Sequence, residues 1–84
     1  MRTVIELGQA VANRRKSLGL KQGQVAHQAG LTQELLSRFE GGRLSELGCR
    51  KLLALLAVLG LELNFTEAGT SGSLDELRRE RGKA

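Results

Sequence analysis

Apolar residues recur along the chain in helical blocks punctuated by glycine. In the first block, from about residue 6 to residue 18, Leu7, Val11 and Leu18 fall near one helical face with Ala10 beside them. Gly19 then supplies the left-handed residue that commonly ends a helix. A second, shorter helix is predicted over 22–29, with Val25, Ala26 and Ala29 at helical spacing and Gly30 as a sharp turn. Thr32 is a good N-cap for a third helix, from Gln33 to about Glu40. That helix turns Leu35, Leu36 and Phe39 inward and leaves Gln33, Glu34, Ser37 and Arg38 outward. Gly41-Gly42 ends it. Residues 43–47 read as a loop, or a loop with one helical turn. A strongly apolar helix covers 52–59, with Leu52, Leu53, Leu55, Leu56 and Leu59 on a broad face. It begins near Ser45 or Gly48, and Gly60 closes it.

The period then changes. Leu61, Leu63 and Phe65 alternate with Glu62, Asn64 and Thr66, a repeat of two that predicts one short strand. A lone strand leaves its backbone edges unpaired and needs a partner. Thr3-Val4-Ile5 is a weak candidate within the chain. The same strand from a second copy, paired across a two-fold axis, is the simplest partner, which makes Leu61, Leu63 and Phe65 the dimerisation residues. Gly-Thr-Ser-Gly-Ser at 69–73 reads as a flexible linker. Residues 74–81 place Asp75 and Glu76 early and Arg78, Arg79 and Arg81 late, as a helix dipole prefers. A helix that short is marginal in water, so disorder is expected there unless something binds. The division is therefore a domain over 1–68 and a charged tail over 69–84.

Composition narrows the function classes. A chain of 84 residues is one domain with a modest core, to which dimerisation would add buried area. Hydrophobic residues at 40% and charged residues at 26% are an ordinary globular balance. Thirteen Lys and Arg against nine Asp and Glu give a formal +4, which favours an anionic partner such as nucleic acid. The single cysteine, Cys49, excludes an intrachain disulfide and a cysteine-based zinc site, and reads as core or helix-edge packing. His27 has no cluster of ligands around it, so no metal is expected. No apolar run is long enough for a membrane span, and Met1-Arg2-Thr3-Val4 lacks the apolar core of a secretory signal. The cytoplasm is the expected compartment. Nothing resembles a catalytic triad, a phosphate loop or a supported carboxylate dyad. Neither enzyme activity nor a cofactor is expected.

The informative stretch is 22–41, Q-G-Q-V-A-H-Q-A-G-L-T-Q-E-L-L-S-R-F-E-G. Two helices that cross steeply through a short turn make demands at fixed places. The first needs a small residue at the crossing, met by Ala26. The turn needs a residue that tolerates positive φ, met by Gly30. Val25, Leu31, Leu36 and Phe39 supply the apolar packing beneath. With R-R-K-S-L-G-L-K-Q before it and L-L-S-R-F-E-G-G-R at its end, the chain resembles the lambda/434-repressor-like helix-turn-helix family, the XRE family, over roughly residues 6–60. The closing L-A-V-L-G-L-E-L-N-F is similar to HipB-type antitoxins, in which such a strand forms an intermolecular lid. The fold class implied is all-α, a four- to five-helix domain with one short C-terminal strand paired across a dimer.

The resemblance carries roles to individual residues. It implies a phosphate contact for Gln22 at the start of the second helix. It implies that Gln33, Glu34, Ser37 and Arg38 read base edges in the major groove, with Arg38 suited to guanine and Gln33 to adenine. Thr32 belongs to the same DNA-facing set. Arg43 is a candidate for the sugar–phosphate backbone. Arg15 and Glu40 match a family pair that ties the first helix to the third, a structural role. Arg14 and Lys16 read as a solvated face. Lys21 stands where the family has a Ser or Thr cap, so it loses an acceptor and offers a cation to phosphate instead. Gly23 lowers helix propensity by about 1 kcal/mol relative to Ala. The implied function is a homodimeric, sequence-specific repressor on a palindromic operator. The finer expectation is an antitoxin that regulates its own operon and binds a HipA-type serine/threonine kinase toxin. The alternative is a protein-interaction module of the same fold that does not bind DNA.

Overall fold

A computed structural model describes residues 3–68. Among them are four helices, α1 (Val4–Ser17), α2 (Gln22–Ala29), α3 (Gln33–Glu40) and α4 (Cys49–Val58), and no strand. The linker and short helix expected beyond residue 68 lie outside the described residues.

Helix α1 starts at Val4, earlier than the expected Glu6, because Thr3 caps it. The Thr3 hydroxyl oxygen accepts the Glu6 N–H at 3.0 Å and donates to the Glu6 carboxylate at 3.2 Å. This removes Thr3-Val4-Ile5 as a strand. The buried stripe of α1 is Gly8, Val11, Ala12 and Arg15, at i, i+3, i+4 and i+7. The expected face was rotated from this. Leu7 and Ala10 flank the stripe half-buried, and Leu18 is 43% exposed. Leu18 is the C-cap, outside the helical repeat, and Leu20 returns to the core in its place.

Val25, Ala26, Leu31, Leu36, Phe39, Leu55, Leu56 and Leu59 close the core over Val11. α1 packs on α3, and α2 packs on both α3 and α4. The turn between α2 and α3 depends on Gly30, which sits at φ +75°. Its geometry lets the buried Leu31 donate its N–H to the Ala26 carbonyl at 2.8 Å, so the chain reverses within a few residues. Thr32 then caps α3 by accepting the Leu35 N–H at 3.1 Å. At the far end of α3, Arg43 N–H donates to the Arg38 carbonyl at 2.9 Å.

Of the two expected starts for α4, the later one is found, with Gly48 as the cap residue. Leu55, Leu56 and Leu59 are buried and Leu52 is half-buried, but Leu53 is 51% exposed, so the apolar face is narrower than the run of leucines suggested. Cys49 is also exposed, at the first helical position, and not packed as expected. Arg14 is no solvated charge. Its Nε donates to the Leu59 carbonyl at 3.0 Å and so ties the last turn of α1 to the end of α4.

Residues 61–66 leave α4 without a ladder partner among the described residues, which show no strand there. Leu61 is half-buried against the core, while Leu63 is 51% and Phe65 89% exposed. Among the described residues, no helix is long and apolar enough to cross a membrane.

Gly8 marks the closest approach of α1 to α3. A Cβ there would fall 2.0 Å from the Phe39 carbonyl oxygen, a backbone atom that cannot swing aside. Replacing glycine by alanine inside a helix normally stabilises by about 1 kcal/mol. At Gly8 the sign is reversed by overpacking, and Gly8→Ala is expected to destabilise the fold by about 3 kcal/mol in urea denaturation.

Candidate nucleic-acid interface

The site is built from the back. Glu40, at the end of α3, receives both nitrogens of one edge of the Arg15 guanidinium: Nε to Oε2 and Nη2 to Oε1, each at 2.8 Å. Such side-on pairing fixes orientation as well as distance. The third guanidinium nitrogen, Nη1, donates to the Leu20 carbonyl at 2.8 Å. Only 10% of the Arg15 side chain and 5% of the Glu40 side chain remain exposed. The expected pair is therefore present, and it is buried.

Gln22 joins this cluster. Its Nε2 donates to Glu40 Oε1 at 3.0 Å, which turns the carboxamide inward. The side chain is thus engaged in holding α2 to α3. Its main-chain N–H remains one of the first-turn amides that have no acceptor inside α2. Lys21 offers no capping acceptor, and the reciprocal half of the cap stands alone: the Gln24 carboxamide oxygen accepts the Lys21 N–H at 3.3 Å.

Burial raises the Glu40 pKa, but the hydrogen bonds from Arg15 and Gln22 and the charges of Arg15 and Lys16 outweigh it. The net value lies below the ordinary carboxylate range. The Arg15 pKa moves up, driven first by its hydrogen bond to Glu40 and by that charge, against an opposing contribution from burial.

Held from behind in this way, α3 presents Gln33, Glu34 and Arg38 exposed and Ser37 half-exposed on its outer side. No other part of the described chain covers that side. Thr32 is exposed at the head of α3; its hydroxyl oxygen is used in the cap, and its proton points to no acceptor among the described residues. Lys21 is exposed as the N-cap of α2, and Arg43 is exposed just beyond the C-terminus of α3. Leu61, Leu63 and Phe65 lie on a different part of the molecule. The first two, with Leu7, Ala10, Val11 and Leu56, line a recess of about 270 Å³ between α1, α4 and the C-terminal segment.

Residues 1–66 match the family model described as a helix-turn-helix domain. The chain belongs to that family. A search of curated proteins found no match. Membership makes the protein a DNA-binding regulator by class, and the helix-turn-helix here is α2, the Gly30 turn and α3.

Some residues that shape the helix-turn-helix escaped the sequence reading. Gly8 occupies an apolar stripe where glycine carries no hydrophobic signal; only its spacing from Val11 and Arg15 points to it. Arg14 reaches a carbonyl 45 residues away, and no local pattern announces such a bond.

Glu40→Gln keeps the shape but leaves Arg15 buried without a counter-charge, and an expected cost of about 3 kcal/mol at neutral pH is measurable by urea denaturation. The sign of the pH effect follows from the lowered Glu40 pKa. Its stabilisation is complete above the ordinary carboxylate value of 4.5 and is lost as pH falls through the lower folded value. The difference between wild type and Glu40→Gln should therefore shrink on acidification below about pH 4.5. A gap independent of pH in parallel urea titrations contradicts this.

Proposed function

We propose that the protein is a sequence-specific transcriptional repressor of the lambda/434-repressor-like, XRE kind, acting as a homodimer on a palindromic operator. The single observation that carries the reading is the uncovered polar face of α3 (Gln33, Glu34, Ser37, Arg38), set on a buried Arg15–Glu40 pair. In this reading Arg38 takes guanine and Gln33 takes adenine, each in bidentate fashion. Ser37 adds a hydroxyl. Glu34 is electrostatically wrong for phosphate, and is accommodated by accepting from cytosine or by pairing with Arg38 at i+4. Lys21, the Thr32 hydroxyl, the Gln22 main-chain N–H and Arg43 hold the sugar–phosphate backbone.

The dimer forms through residues 61–66. Their edges have no ladder partner within the described chain, and Leu63 and Phe65 are left exposed. Antiparallel pairing of two such segments satisfies the backbone and covers the apolar row together. Two copies then present α3 to successive major-groove segments about 34 Å apart. The finer reading is an antitoxin of the HipB type, autoregulating its operon and binding a HipA-type kinase. It rests on the sequence likeness of the segment after α4. No cofactor or catalytic step belongs to this reading, and the cytoplasm is its compartment.

Gel shifts on duplexes selected from a random pool test the division of labour. Gln33→Ala and Arg38→Ala are expected to cost about 1–3 kcal/mol of discrimination each, while Lys21→Ala and Arg43→Ala weaken all sequences alike and flatten the salt slope. Equal loss of preference from both sets contradicts the assignment. A wild-type protein that binds no duplex even at about 50 mM salt favours the protein-interaction module instead, for which the exposed Glu34 carboxylate is the supporting feature. For the dimer, Phe65→Glu is expected to shift the protein to monomer in sedimentation equilibrium while leaving its helical content unchanged, since Phe65 is 89% exposed in the single chain.

A further inference from the structure

Gly23 has no structural reason to be glycine. It lies in the first turn of α2, outside the positions with positive φ, and a Cβ there would meet no core side chain. Glycine in a helix is the costlier choice there. The one group that a side chain at this position would meet belongs to another helix. A Cβ on residue 23 falls 3.3 Å from Gln33 Oε1 and 3.7 Å from Gln33 Cδ. The Gln33 carboxamide therefore lies directly over the bare Cα of Gly23, at the start of the α3 outer face. Among the described residues that carboxamide has no hydrogen-bond partner, so its oxygen and its nitrogen are both available to a ligand.

We infer that Gly23 is a positioning residue for Gln33: the absent side chain is the seat that holds the Gln33 carboxamide against α2, and this seat fixes which base edge Gln33 reads. The inference rests on the proposed DNA reading and deepens it. A glutamine free to sample its rotamers loses entropy when it binds and can engage several bases. A carboxamide backed by the α2 backbone is restricted before binding. Its oxygen and nitrogen then meet the N6 donor and N7 acceptor of one adenine as a pair. A side chain at residue 23 pushes the carboxamide away from α2 and releases this restriction. Because the obstructed group is the end of an exposed, flexible side chain, the fold itself is not disturbed.

The test combines melting with selection from a random-sequence duplex pool, using wild type, Gly23→Ala, Gly23→Val, Gln33→Ala and the Gly23→Val/Gln33→Ala double variant. Gly23→Ala is expected to melt no lower than wild type. Both Gly23 variants should lose about tenfold in discrimination at the base pair that Gln33→Ala also loses, with the other positions of the half-site unchanged. On the Gln33→Ala background, Gly23→Val should add nothing, since the effect runs through Gln33. The role of Gly23 is overturned if both Gly23 variants select the wild-type consensus, or if Gly23→Val weakens binding equally with and without Gln33. A wild-type pool that yields no consensus overturns the DNA reading itself, and this inference falls with it.

Discussion

The orientation of α3 depends on one buried ion pair. Arg15 and Glu40 meet edge to edge, and their remaining hydrogen-bonding capacity is taken by the Leu20 carbonyl and the Gln22 carboxamide. Removing two charges from water costs several kcal/mol each, and the cost is offset only when geometry is good and the leftover donors and acceptors are met. Both conditions hold here. The result is a node where the end of α1, the loop after it, the start of α2 and the end of α3 are joined through four side-chain hydrogen bonds. An apolar contact of the same volume tolerates sliding. A bidentate pair does not, because displacement breaks two directional bonds together. For a helix whose outer face must meet a periodic ligand, that directionality matters more than the net energy of the pair.

The node works because the backbones come close. Gly8 lets α1 approach the Phe39 carbonyl within a distance that a methyl group would forbid, one residue before Glu40. At the other end of α3, Gly30 and Ala26 set the turn, and the Thr32 hydroxyl caps the Leu35 N–H. α3 is thus pinned at both ends from its inner side, while Leu36 and Phe39 fill the middle, each essentially fully buried. Every group that fixes α3 lies behind it or at its ends. The outer residues Gln33, Glu34, Ser37 and Arg38 are left without structural duties, which is why their chemistry is free to answer to a partner.

Much of this was legible in the sequence. The bounds of α2 and α3 follow from Gly30, Thr32 and Gly41, because each has a local geometric meaning, and the Arg15–Glu40 pair was readable through the family likeness. The rest was hidden mostly by tertiary contacts that no local pattern announces. The inner stripe of α1 contains Gly8 and Arg15, neither of which is apolar, so the periodicity was drawn toward Leu7 and Leu18 and the face came out rotated. Gln22 was read from its place at a helix start, and that position gives no sign of its side-chain bond to Glu40, eighteen residues away. Arg14 looked like part of a basic run, and the carbonyl it caps belongs to α4. Cys49 was assigned to packing from residue type alone, whereas position in the first turn of α4 decides its exposure.

The segment after α4 raises a different physical question. In the proposed dimer, burying Leu63 and Phe65 from each copy contributes about 1.5–3 kcal/mol per side chain. The association itself costs about 4–15 kcal/mol in lost translational and rotational freedom. Four such side chains, with the backbone bonds of a two-stranded ladder, place the dimer close to balance and not far on its favourable side. On the proposed reading a single α3 offers only a few base contacts, so one copy on one half-site binds weakly as well. Each of these weak equilibria favours the other: a palindromic duplex that holds two copies side by side raises their effective concentration, and a preformed dimer lets the second α3 dock without a second loss of freedom. On the proposed reading, affinity for a palindromic operator then rises steeply with protein concentration.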